Sequence, residues 1–174
     1  MADSPEPPEP PADRDPSPEP RPPEELDGCL LIVVGSDLDA ERYDRRLAYE
    51  LQRRIEAWRT EHRDVLDVRI EPVVCTDLWY LTREAAHRRP SVCLGAPDVN
   101  ALSRRLAARL PEEVRNDDDE PRVLLQVDED FTDLRVCLWG SDGDLTAKGL
   151  DIFCERYLDD FLKAVATQVE PQED

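Results

Sequence analysis

Three turns in this chain carry the residues that could do chemistry. They are Gly35-Ser36-Asp37-Leu38-Asp39, Gly95-Ala96-Pro97-Asp98-Val99-Asn100 and Gly140-Ser141-Asp142-Gly143-Asp144. Each follows an apolar run and precedes a helix-like pattern. Each therefore joins carboxylates to the free backbone N–H groups of a helix N-terminus. Asp77 and Trp79, after another strand-like run, add a carboxylate and a ring that could pack in the core or stack on a ligand. Carboxylates at this density could hold a hard divalent ion, Mg2+ before others, or act as general acid and base. In that reading Asp37, Asp77 and Asp98 are the metal ligands. Helix capping alone also places an Asp in each turn, with no metal bound. Ser36 with Asp39, and Ser141 with Asp144, have the spacing of a capping box, with Asp in place of Glu. The chain has no G-x-G-x-x-G, no P-loop and no G-x-S-x-G, which argues against a dinucleotide site, an NTP site or a nucleophile elbow.

Strands and helices must bring these turns together. Cys29 to Val34 is a continuous apolar run, as in a strand covered on both faces. A helix with Tyr43, Leu47, Leu51, Ile55 and Trp58 on one stripe follows. Asp67 to Cys75 is a second strand, and Pro72 marks it as an edge or a bulge. Ser91 to Leu94 is a third. The next helix has Pro97 in its first turn and Val99, Leu102, Leu106 and Leu110 on one face. Arg122–Val127 and Leu134–Trp139 are separated by too few residues for a crossover helix, so they pair antiparallel. A last helix runs from about Leu145 to Ala166. The order predicts a three-layer α/β fold, Rossmann-like or flavodoxin-like. It has a mixed sheet of about five strands, helices on both faces and a terminal antiparallel hairpin. The carboxyl ends of the first, third and last strands then share one edge of the sheet. The candidate ligand-binding residues at that edge are Gly35, Ser36, Asp37, Asp77, Trp79, Gly95, Pro97, Asp98, Asn100, Ser141 and Asp142.

Composition bounds the rest. The first 25 residues hold ten of the sixteen prolines and almost no apolar side chains. Such a segment buries too little surface to offset its ordering entropy. We expect a disordered tail over 1–26, one α/β domain over 27–168 and a disordered end over 169–174. The start of the chain lacks the basic and apolar regions of a signal peptide, and no apolar run is long enough to span a bilayer. A cytoplasmic location is expected. Of the net charge of -19, residues 1–27 carry -7, from nine acids and two arginines. That balance argues against nucleic acid and against an anionic membrane as partners. The five cysteines have no C-x-x-C or Cys/His metal spacing, and they read as reduced, buried small residues.

The stretch Gly95-Ala96-Pro97-Asp98-Val99-Asn100 resembles the Gly-Gly-Pro-x-x-Asn turn of α/β modules in S-layer-type and cell-wall-binding surface proteins. Gly140-Ser141-Asp142-Gly143-Asp144-Leu145-Thr146-Ala147 is similar to a later Gly-x-x-x-Asp-Thr-x-x-Ala segment of those modules, with Leu145 inserted and the Ala shifted. The resemblance covers about thirty residues and implies a module of structural or binding type. Ala96 replaces the second Gly, and a surface location is not implied.

Three functions fit this reading. The first is a non-catalytic binding module without a cofactor, whose rim of turns meets a protein or small-molecule partner. The second is a Mg2+-dependent hydrolase or transferase built on the aspartates. The third is a structural unit that forms homo-oligomers. Deleting residues 1–25 should leave the melting temperature within about two degrees of the full chain, because the tail has nothing to bury. A drop of several degrees in a calorimetric scan would contradict this.

Overall fold

The run Cys29–Val34 leaves its strand no polar face, so β1 must lie between two layers. In the computed structural model, which describes residues 26–63, 70–112, 119–127 and 133–167, all six residues of β1 are buried. Parallel neighbours flank it: β2 (Glu71–Thr76) on one side and β3 (Ser91–Leu94) on the other. β3 in turn pairs parallel with β5 (Leu134–Trp139), and β4 (Arg122–Val127) pairs antiparallel with β5 at the edge. The strand order is β2-β1-β3-β5-β4. The expected five-stranded mixed sheet and its antiparallel pair are therefore present. Pro72 lies on an edge strand, where its missing N–H removes no ladder bond.

Alternate residues of each strand feed two cores. Leu30, Ile32 and Val34 pack with α2 (Asp44–Glu61), α5 (Gly143–Arg156) and α6 (Leu158–Thr167). Cys29, Leu31 and Val33 pack on the opposite face with α3 (Asp77–Leu81), the 3-10 turn Glu84–Arg88 and α4 (Ala101–Ala107). Leu26 is buried in that second core. Exposed i,i+4 ion pairs join Arg54 to Glu50 on α2 and Arg45 of α2 to Glu41 just before it. Cys93 and Cys137 face each other on β3 and β5, and both sulfurs lie near the Ser103 hydroxyl, at 3.1 and 3.4 Å. All five cysteines are free.

The helix starts differ from expectation. The first helix is broken at Tyr43 into α1 (Leu38–Arg42) and α2, so Tyr43 is half exposed and Asp44 takes the buried place on the stripe. The last helix is likewise broken at Tyr157. The caps are Asp37 and Asp142, not Ser36 and Ser141. Asp37 accepts from the Ala40 N–H at 2.9 Å and Asp142 from the Leu145 N–H at 2.8 Å. Pro97 does not begin α4. It sits in a turn closed by Val99 and Asn100 N–H groups on the Ala96 carbonyl (3.1 and 3.0 Å), and Asn100 is the cap. Leu26, placed in the tail by the sequence, is part of the core, and residues 1–25, the proposed end 169–174, the start of the second strand at 67–69, the acidic run 113–118 and the 128–132 connection lie outside the described residues.

Asn100 is fully buried and uses its whole amide. Its Oδ1 accepts from the Leu102 and Ser103 N–H groups (2.9 and 3.3 Å). Its Nδ2 donates to the Val33 and Leu94 carbonyls (3.3 and 2.8 Å). Asn100→Ala would strip the helix cap and take a donor from two strand-end carbonyls, a loss of about 3 kcal/mol. Urea unfolding checks this, and a loss below about 1 kcal/mol would show that water replaces the side chain.

Candidate functional site

β1, β3 and β5 are parallel, so their carboxyl ends do share one edge. The chain steps from β1 to β2 on one side and then across to β3 on the other, and doubly wound sheets bind ligands where that reversal occurs. A cavity of about 490 Å³ opens there. Asp39 lines it from the β1 turn, Asp98 from the β3 turn, and Asp142 and Asp144 from the β5 turn. Tyr43 forms one wall, and Gly143 lets that ring lie against the start of α5, since a Cβ there would meet it at 3.3 Å. No lysine or arginine is among the lining residues.

The fifth carboxylate is Asp44, at the start of α2. Gly95 leaves β3 with φ of 108°, a conformation that side chains rarely adopt. A Cβ on Gly95 would collide with the Asp44 carboxylate. The bare backbone therefore makes room for Asp44, which is only 5% exposed. No hydrogen bond or ion pair reaches its carboxylate from the described residues. Burial first, then the charges of Asp37 and Asp98, push its pKa from 3.8 to about 6. The positive end of α2 acts the other way, by about 0.3–1 kcal/mol. Desolvation outweighs it.

The turns that carry the rim are braced. Arg104 folds back to donate to the Pro97 and Asp98 carbonyls (2.8 and 3.0 Å). Thr146 accepts from the Gly140 N–H (3.0 Å) and donates to the Asp142 carbonyl (2.9 Å). Gly35 packs so closely on the Val99 carbonyl that a side chain there would clash. The rim can present negative charge at fixed positions without rearranging.

The candidates from the sequence separate into three groups. Asp98, Ser141 and Asp142 line the cavity. Gly35 and Gly95 pack against Val99 and Asp44 of its wall, Asp37 caps α1, Pro97 lies in the β3 turn, and Ser36 is exposed. Asn100, Asp77 and Trp79 lie elsewhere. Asp77 is buried, and its oxygens accept from the Leu78 and Ala101 N–H groups (both 2.7 Å), so it ties α3 to α4. Trp79 packs on the second core with the Arg83 guanidinium 4.5 Å from its ring centre. Of the three expected metal ligands only Asp98 lines the cavity; Asp37 caps α1 and Asp77 lies elsewhere. Among the described residues no three His, Cys, Asp or Glu side chains form a metal-sized group. Tyr43, Asp44 and Thr146 were not singled out as site residues by the sequence. Asp44 had one available signal: it occupies the apolar period of α2, three residues before Leu47.

Comparison with family models and with curated proteins gives no match for this chain.

The Asp44 carboxyl makes stability depend on pH. The native state holds its proton up to about pH 6, whereas the unfolded chain releases it near 3.8. Its contribution is therefore full below pH 4, falls as pH rises from about 4 to 6, and stays low above that. The total is about 3 kcal/mol at most. Asp44→Asn should remove this fall and be the more stable chain at pH 7. The measurement is the difference between the two chains in urea unfolding from pH 4 to 8, and a pH-independent difference would contradict the assignment.

Proposed function

We propose that the chain is a binding module, non-catalytic, whose site is the acidic cavity and whose ligand presents a protonated amine or a guanidinium. The observation that carries this reading is Asp44, a buried carboxylate with no partner among the described residues, in a cavity lined by four more aspartates. A charge held out of water without a counter-ion destabilises the fold unless something binds to it. The geometry favours an organic cation over a bare metal ion. The carboxylates are spread around a cavity large enough for a small molecule. Tyr43, Ala96 and Val99 offer apolar and aromatic surface for a stem, and a ring face attracts a cation by about 0.5–2 kcal/mol. The same field repels phosphates and other anions. The resemblance of the Gly95–Asn100 turn to binding-type modules points the same way.

The probes are agmatine and putrescine, titrated at constant ionic strength maintained with sodium chloride. Each should raise the melting temperature saturably, by about 3–6 °C at ten times its dissociation constant. Binding should tighten as pH rises through 6, because a cation requires Asp44 ionised while Asp39, Asp98, Asp142 and Asp144 surround it. Asp44→Asn should weaken it at least about tenfold. If neither amine outperforms sodium, the reading fails. A saturable effect of Mg2+ at matched ionic strength, lost in Asp44→Asn or Asp98→Asn, would replace it with the metal-dependent one.

A further inference from the structure

The opposite face of the sheet carries a second cavity, of about 280 Å³, between α3, the 3-10 turn and α4. Its charge is reversed. Arg105 and Arg109 reach it from successive turns of α4 and Arg135 from β5, and no carboxylate is among the lining residues. In a chain of net charge -19, three guanidinium groups at one small cavity are a marked local departure. Arg135 is held in place by Asp133 (2.8 Å) and the His87 carbonyl (3.0 Å). Arg109 is steadied by Gln126 (3.3 Å). Arg105 makes no hydrogen bond or ion pair among the described residues.

Tyr80 supplies an independent observation. It is 2% exposed and lines this cavity; among the described residues its hydroxyl makes no hydrogen bond of ordinary geometry, although the Ser91 side chain lies close enough to act on it. The His87 Nε2 beside it is also buried, with no partner among the described residues, and its ring centre lies 5.1 Å from that of Tyr80. Buried hydroxyls are nearly always bonded, so one without a well-formed bond in the wall of a cavity marks a place for a further partner. The guanidinium groups at the cavity only donate, whereas the Tyr80 hydroxyl and the His87 imidazole can each donate or accept. The matching ligand is an acceptor with negative charge. Guanidinium groups arriving from a helix and a strand, with a hydroxyl from a third element, suit a tetrahedral oxyanion better than a planar carboxylate.

We infer that Tyr80, Arg105, Arg109 and Arg135 form a binding site for a small phosphate-type oxyanion. This site is separate from the acidic cavity and does not depend on its function. The Tyr80 hydroxyl donates to one oxygen, and Arg105 and Arg109 close over the others.

The test is calorimetric titration of the full chain with inorganic phosphate and with glycerol 2-phosphate, with ionic strength held by sodium chloride. One anion per chain should bind saturably. The monoester binds comparably if one oxygen points out of the cavity, and more weakly if free phosphate is the ligand. Either result supports the site. Tyr80→Phe should weaken binding by about tenfold with only a small change in the melting temperature of the free chain, since no well-formed hydrogen bond is lost. Arg105→Ala should weaken it similarly, and Asp44→Asn should not change it. No saturable binding of either anion, or binding that both Tyr80→Phe and Arg105→Ala leave unchanged, would overturn the inference.

Discussion

The structure depends on how two strand ends are held apart and still satisfied. At the carboxyl ends of β1 and β3 the ladder stops and the chain leaves in different directions. The carbonyls of Val33 and Leu94 lie close together at that point, and both take a bond from one side chain. Asn100 places its amide between them and points its oxygen at the start of α4. One side chain thus ends two strands and begins a helix. The Pro97–Val99 turn is pinned by the same contacts, with the Val99 carbonyl against Gly35 and Asp98 turned outward. With that turn fixed, Gly95 must bend with positive φ, and the space it leaves is filled by the Asp44 carboxylate. The acidic cavity follows from this closure.

Where sequence alone was informative, the reason was local. β1, β3 and the β4–β5 pair could be read because an apolar run or a short connection permits few alternatives. Helix starts were harder, because Ser and Asp both cap and stand side by side in Gly-Ser-Asp. Backbone geometry chose the Asp in both turns. Asp44 was hidden for a different reason. A carboxylate among Glu41, Arg42, Arg45 and Arg46 reads as part of a solvated face, and only the break at Tyr43 rotates it inward. The basic cavity was not legible, because its arginines come from α4 and β5 and its hydroxyl from α3. Asp77 shows the opposite error, since a lone acidic residue after a strand suggests chemistry, whereas here it joins two helix starts.

The sheet separates the two charged cavities. The acidic one lies at the strand ends on the side of α2 and α5, and the basic one lies under α3 and α4. Backbone dipoles at the starts of α1 and α5 offset part of the acidic field, which lets five aspartates share one rim. In the other layer the Arg109–Gln126–Asp133–Arg135 chain of contacts holds positive groups in place without cancelling them all.

The cysteines give the fold an internal clock. Burial pushes the Cys75 thiol to about 12 and that of Cys93 well above its ordinary value. Such thiols do not react while the sheet is closed, because the thiolate is the nucleophile. Cys93 and Cys137 sit on the central strands, whereas Cys154 lies partly exposed on α5. A thiol-labelling reagent would therefore meet Cys154 first and reach the central pair only when β3 and β5 separate. The rate of that second modification measures how often the middle of the sheet opens in the absence of any denaturant.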